Sequence, residues 1–174
     1  MTQPGLPLSI REETPQDREA IREVNRRAFQ TETEGELVDR LRAEGLVIAS
    51  LVASVEGRVV GHILFSKVVI ETGERAVTAA SLAPMAVVPE MQRRGVGSAL
   101  VRLGLELCRQ RGYSLVLVVG HTSYYPRFGF SAGLAKALHS PYSGESFMAL
   151  DLTGEALPGL AGTVTYPEAF RSAE

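Results

Sequence analysis

The stretch Ala76–Val119 constrains this chain more than any other. It reads as an apolar strand ended by Pro89, a short polar loop, a helix opened by Gly95-Val96-Gly97 and stopped by Gly112, and a nearly all-apolar strand at Ser114–Val119. A short run that is apolar on both faces suits a strand covered on both sides. Two strands joined through a helix lie parallel in one sheet. The helix, Gly95–Arg111, sets Leu100, Leu103 and Leu107 on one face and carries Arg109 and Arg111 in its last turn, where the helix dipole favours positive charge. A βαβ unit therefore supplies the parallel element of the fold.

Around that unit two periodicities alternate. Leu6–Glu13, with Leu8 and Ile10 among polar neighbours, predicts a short strand. Thr14-Pro15-Gln16-Asp17 predicts a helix start, with Thr14 as cap, Pro15 in the first turn and Asp17 at the positive end. Ile21, Val24 and Ala28 follow at helical spacing, and a second helix is expected over Glu36–Glu44, ended by Gly45. Leu46–Glu56 and Val59–Glu71 around Glu56-Gly57-Arg58 predict an antiparallel hairpin. Tyr124–Phe128 allows one or two helical turns, and Glu145–Leu152 is expected to be the final strand. The order β, α, α, β, β, β, α, β, α, β predicts one mixed α/β domain over residues 1–174, its core at about 8–152 and a weakly patterned tail at 153–174.

Composition narrows the chemistry. A chain of 174 residues can bury a core without disulfides or metals. The single cysteine, Cys108, excludes an internal disulfide and a CxxC zinc site, and three histidines make a His-based metal cluster unexpected. A formal charge of −2 argues against a general nucleic-acid binder. The start of the chain lacks the basic-then-apolar pattern of a signal peptide. The longest nearly apolar run, Leu46–Val55, falls short of the roughly 20 residues that span a bilayer. A cytoplasmic protein without metal, nucleic acid or membrane partner is expected.

The chemistry concentrates at Pro84–Leu100. A strand ends, a loop follows, and a Gly-x-Gly turn opens a long helix. Glycines let backbone approach a ligand, and a helix start offers unpaired amides at a positive dipole end. This is an anion site suited to phosphate or pyrophosphate, with Arg93 and Arg94 beside it. Gly97 is followed by Ser98-Ala99, not by the Lys of a Walker A loop, and position 100 is Leu100, not the third glycine of a dinucleotide fingerprint. The pattern Gln/Arg-x-x-Gly-x-Gly/Ala is met at each specified position by Gln92-Arg93-Arg94-Gly95-Val96-Gly97.

That hexapeptide, after a strand ending Ala-Val-Val-Pro, resembles the acetyl-CoA-binding motif of the GNAT N-acetyltransferase superfamily. Tyr125-Pro126-Arg127-Phe128-Gly129-Phe130, after the next strand, resembles the superfamily's Tyr-x-x-x-Gly-Phe segment. His121–Phe130 as a whole is similar to the bacterial YhbS-like branch of predicted acetyltransferases, and the resemblance spans about Leu8–Leu152. It implies a mixed, mostly antiparallel sheet with a splayed central strand pair, flanked by helices. It further implies that Met85, Ala86, Val87 and Val88 pair with the pantetheine arm of acetyl-CoA. The amides from Gln92 through Arg93, Arg94, Gly95, Val96 and Gly97 to Ser98 would hold its pyrophosphate. Tyr125 would protonate the departing thiolate, and the Val87 amide would polarise the acyl carbonyl.

One departure stands out. The position of the catalytic glutamate in histone-type members is Ser81, and serine is no neutral-pH base. Deprotonating a lysine-like amine at pH 7 costs roughly 4.6 kcal/mol, against about 1 for an α-amine. A water-relayed base or a weakly basic acceptor is therefore expected, with Glu71, His62 and Glu34 as candidate relay members. On their own patterns, Cys108, Phe128 and Phe130 read as packing, Tyr124 as structural or substrate-facing, His62 as a strand histidine and His139 as solvated. The leading function is acetyl or short-acyl transfer from acetyl-CoA to a primary amine, small molecule or peptide, by direct attack. A CoA sensor on the same fold is the alternative, and a homodimer is admitted. The resemblance implies an acceptor site around Phe29–Glu36 and Leu134–Ser146, stretches that carry no readable code of their own.

Overall fold

The structure, a computed structural model, describes residues 7–156 and 159–173. The N-terminal stretch through Leu6, with Leu157, Pro158 and Glu174, lies outside them. Eight strands form one sheet: β1 (Leu8–Glu12), β2 (Val47–Val55), β3 (Arg58–Glu71), β4 (Ala76–Val87), β5 (Leu115–Val119), β6 (Leu138–His139), β7 (Phe147–Asp151) and β8 (Gly162–Thr165). The main path runs β1-β2-β3-β4-β5-β7, antiparallel throughout except for the parallel β4–β5 pair. Three helices flank it: α1 (Arg18–Phe29), α2 (Thr33–Ala43) and α3 (Val96–Gln110).

The helices take opposite faces of the sheet. Val96, Leu100, Val101 and Cys108 of α3 pack on Ala53, Ile63 and Phe65. Ile21 of α1 and Leu37, Val38 and Leu41 of α2 pack on Val52 and Leu64. Side chains of successive strand residues point to opposite faces, so Val52 faces one helical layer and Ala53 the other.

The junction of β1 and α1 differs in detail from expectation. Thr14 stands at the N-cap of a 3₁₀ turn at Pro15–Asp17, as expected, but its hydroxyl caps no amide; the Asp17 carboxylate instead takes the Thr14 N–H at 2.7 Å and both arms of Arg11 at 2.7 and 2.9 Å. α2 begins at Thr33, earlier than Glu36, and so brings Glu34 into its first turn.

The largest correction concerns the end of the chain. β7 is not the final strand. β3 outruns β2, which pairs with it only from Arg58 to Ser66; β8 occupies the same edge of β3 further along, at Val69–Glu71. Residues beyond Leu152 thus extend the sheet, and Phe170 and Ala169 join the core under α2.

Candidate active site

The site begins where β4 and β5 part. Their parallel pairing runs Ala80–Val116, Ser81–Leu117 and Leu82–Val118 and stops there. β4 continues to Val87 beside β3, while β5 turns away with β7, its Val119 opposite Phe147. The Val88 N–H donates to the Val60 carbonyl at 2.9 Å, toward β3. Antiparallel hydrogen bonding alternates residue by residue, so the backbone groups of Met85 and Val87 point the other way, into the gap. The Val87 carbonyl is taken by the Gln92 side-chain amide at 2.9 Å. The Val87 N–H finds no acceptor among the described residues.

From Val88 the chain makes a turn at Pro89–Met91 and then enters α3. Arg93 (φ 63°) and Gly95 (φ 84°) both adopt the left-handed conformation. Only glycine does so freely, and a non-glycine residue held there costs of order 1 kcal/mol. The result is a turn whose N–H groups from Arg93 to Ser98 find no protein acceptor among the described residues. Unpaired helix-start donors and the positive dipole end together suit an anion. Arg93 and Arg94 are exposed and lack an ion-pair partner among the described residues. Gly97 keeps the turn close to its neighbours: a Cβ there would lie 3.1 Å from the Tyr124 hydroxyl and 3.2 Å from Met85 Cε.

The gap opens into a cleft of about 1240 Å³. Of the residues expected to bind the donor, Met85, Val87, Gln92, Arg93, Gly95, Gly97 and Ser98 line it. Ala86, Val88, Arg94 and Val96 do not. Ala86 pairs with His62 toward β3, Val88 is spent on Val60, and the Val96 side chain packs under α3 against Gly61.

Tyr125 lines the same cleft and is 7% exposed. It sits on the turn Tyr125–Phe128, held by Tyr124, Phe128 and Phe130 edges at 5.1–6.4 Å between ring centres. Burial, with some repulsion from Tyr124, pushes its phenol up to about 12. Tyr124 shares a hydrogen bond with Ser98 at 3.1 Å, tying that turn to the start of α3. Gly120, which sequence reasoning missed, seats the ring: a Cβ at Gly120 would fall 2.3 Å from Tyr125 Cε2.

The relay candidates separate cleanly. His62 is sealed in the core between Asn25 (3.2 Å) and Ser50 (2.9 Å), and burial pushes its imidazole down to about 3. Glu71 is exposed at the far end of β3, outside the cleft. Glu34 lines the cleft, as does buried Ser81, which faces Ser66 across β3 and β4. The Ser66 hydroxyl is buried with no partner among the described residues. Cys108 is buried in α3, and burial pushes its thiol up to about 12. A buried thiol so disfavoured as thiolate, and outside the cleft lining, is a poor nucleophile.

The other end of the cleft is lined by Phe29, Thr33, Glu34 and Tyr142, which fall inside the segments expected to hold the acceptor, together with Tyr166 and Phe170 from the tail. The last two went unread because the tail shows no periodicity. Among the described residues no group of three or more His, Cys, Asp or Glu side chains could hold a metal, and no helix is long and apolar enough to cross a membrane.

A mostly antiparallel sheet parted at its one central parallel pair, with a glycine turn at the mouth of the gap, is the architecture of the GNAT class. The chain belongs to the GNAT acetyltransferase family: the acetyltransferase (GNAT) domain profile matches residues 9–133. It is 35% identical over 166 residues to the uncharacterized N-acetyltransferase YhbS of Escherichia coli K12, covering 94% of this chain and 98% of that one. It is 43% identical over 116 residues to the uncharacterized N-acetyltransferase YjhQ of the same strain, covering 66% of this chain and 64%, under two thirds, of YjhQ. The crystal structure of YhbS in complex with CoA superposes with a TM-score of 0.88 at 33% identity, over 98% of this chain and 96% of that one. A GNAT family acetyltransferase from Brucella melitensis in complex with acetyl-CoA gives 0.79 at 38% identity, over 94% and 97%.

Proposed function

We propose that this protein transfers an acetyl or short acyl group from acetyl-CoA to a primary amine by direct attack within a ternary complex. The observation that carries the reading is the parting of β4 from β5 after Leu82 and Val118, which opens onto the unpaired N–H groups of residues 93–98. The acyl donor supplies an activated thioester. The chain supplies the rest. Residues Arg93–Ser98 bind the diphosphate, and the strand edge at Met85 and Val87 orients the arm. The free Val87 N–H stabilises charge developing on the acyl oxygen.

In the transfer, the amine nitrogen forms the C–N bond, the C–S bond breaks, the amine gives up a proton to the water the open cleft admits, and the thiolate gains one. Products are an amide and CoA. Tyr125 is the proton donor at the sulfur. With its phenol near 12 and a thiol near 8.5, complete transfer is uphill by roughly 5 kcal/mol. Tyr125 therefore acts first as a hydrogen-bond donor to the forming thiolate. On the amine side, Ser81 offers a hydroxyl that passes a proton without keeping it, and Glu34 is the carboxylate that lines the cleft. The same reading includes a single domain, a cytoplasmic setting and no metal.

Thermal unfolding with added ligand tests the donor assignment. Acetyl-CoA or CoA at about 100 times Kd should stabilise the fold by about 2.7 kcal/mol, a rise of roughly 5–10 °C in Tm. NAD and ATP should leave it unmoved. Equal shifts from all four, or none from acetyl-CoA, would remove the reading.

A further inference from the structure

The two ends of the cleft carry opposite charge. At the donor end lie both of its arginines: Arg93 in the glycine turn, and Arg127, which stacks over the Tyr124 ring at 4.6 Å and donates to the Tyr124 carbonyl. His121 also belongs there, since its carbonyl takes the Tyr124 and Tyr125 N–H groups. At the opposite end, Tyr142, Tyr166 and Phe170 form a chain of edge and tilted contacts, with centres 4.9 and 5.2 Å apart. Tyr166 and Phe170 pack in one cluster with Leu37 of α2 and Ala83 of β4. Glu34 lies one turn before Leu37 on the same face of α2, and both line the cleft. One Glu34 oxygen accepts from the Thr31 hydroxyl at 2.7 Å, which fixes the half-buried carboxylate. No lysine or arginine lines this end among the described residues.

We infer that the acceptor is an aromatic primary amine that carries no carboxylate. Its ring packs against Tyr142, Tyr166 and Phe170, its ammonium approaches the free oxygen of Glu34, and its nitrogen faces the gap between β4 and β5. An aromatic wall favours a ring by area and edge contacts and favours a cation over its faces. A carboxylate brought to the same place would meet Glu34 and no cation, and a buried charge without a partner is expensive. The inference rests on the acyl-transfer reading and adds the substrate class to it.

The test combines acetyl-CoA-induced thermal shift with steady-state CoA release from acetyl-CoA, using 2-phenylethylamine, n-butylamine, spermidine and phenylalanine. 2-Phenylethylamine should exceed n-butylamine and spermidine by about tenfold in kcat/KM, the value of one aromatic packing contact of ~1.4 kcal/mol. It should exceed phenylalanine by about tenfold or more, as expected when a carboxylate meets the Glu34 carboxylate in a half-open cleft with no cation beside it. Glu34→Gln should raise the KM for 2-phenylethylamine at least about fivefold while the acetyl-CoA shift stays intact, which shows the variant folded and donor-competent. Tyr142→Leu should erase the advantage of 2-phenylethylamine over n-butylamine. The inference is overturned if phenylalanine or spermidine is used as well as 2-phenylethylamine, if Glu34→Gln leaves KM unchanged, or if acetyl-CoA shifts Tm and 2-phenylethylamine does not react. Absence of any acetyl-CoA shift is the separate result that defeats the donor reading itself.

Discussion

Tyr125 illustrates how one environment sets two properties at once. The burial that raises its phenol to about 12 also keeps it protonated throughout any practical assay range. The kcat/KM profile of the wild type should therefore show no Tyr125 ionisation below about pH 11. A proton donor mismatched to its acceptor works at the low end of general-acid catalysis, about 100-fold. Tyr125→Phe should thus lower kcat by about that factor and change the dissociation constant for CoA less than twofold. Equal losses in both would reassign Tyr125 to donor binding. Gly120→Ala supplies an independent reading of the same site. Its methyl would collide with the Tyr125 ring at 2.3 Å, so the ring must move while its hydroxyl survives. We expect kcat to fall as in Tyr125→Phe; an unchanged kcat would show that placement of this hydroxyl is immaterial.

At the scale of elements, the turn that feeds α3 is anchored from behind. Glu90 accepts both arms of Arg27 from α1, at 2.9 and 2.6 Å, and one from Arg58 at the start of β3, at 2.6 Å. These bonds, Arg27 first, hold its carboxyl down to about 2. Exposed ion pairs contribute little unless the geometry is bidentate or several charges join, and both conditions hold here. Glu90 does not line the cleft, so its effect must pass through the shape of the turn. Glu90→Gln should raise the KM for acetyl-CoA about threefold to tenfold with kcat within twofold, and added salt should narrow the difference. A loss in kcat instead would place Glu90 in the chemistry. None of this clasp was legible beforehand, because Arg27, Arg58 and Glu90 are ordinary surface residues until the fold brings them together. The strands and helices from Leu8 to Val119 were legible, since each carries its own periodicity and turn chemistry. β8 was not. Gly162-Thr163-Val164-Thr165 has one apolar side chain, and its strand form is imposed by the free edge of β3, where Gly162 comes so near that a Cβ would lie 2.4 Å from the Glu71 carbonyl.

Across the whole molecule the same contrast separates the two ends of the cleft. The end proposed to hold the donor is written mainly on one stretch, Met85–Ser98, joined by the turn at His121–Arg127, and its glycines and strand end have local physical reasons and so can be read in order. The end proposed to take the acceptor draws on residues 29–37, 142 and 166–170, which meet only after the tail folds back under α2. Within the apolar packing of α1 on the sheet there is a buried polar link: His62, fully buried, joins Asn25 of α1 to Ser50 of β2. That link makes the fold sensitive to mild acid. Burial lowers the imidazole to about 3, against about 6.5 in the unfolded chain. Between those values the unfolded chain binds a proton that the native one refuses. Stability from neutral His62 is thus whole above pH 6.5 and declines below it by up to about 1.4 kcal/mol per pH unit. Asp17, held low by Arg11, and Glu90, held low by Arg27, act in the same direction but later: their contributions are present above about pH 4 and lost as the pH falls toward their lowered values. Urea midpoints at pH 7.5, 6.5, 5.5 and 4.5 should therefore fall with the His62 slope before the carboxylates contribute. His62→Gln, which keeps a donor and an acceptor without a titrating ring, should start about 1–2 kcal/mol less stable at pH 7.5 and show a flatter descent. Parallel curves for the two proteins would mean that His62 takes up its proton in the native state as readily as in the unfolded chain, and that the α1–β2 link tolerates charge.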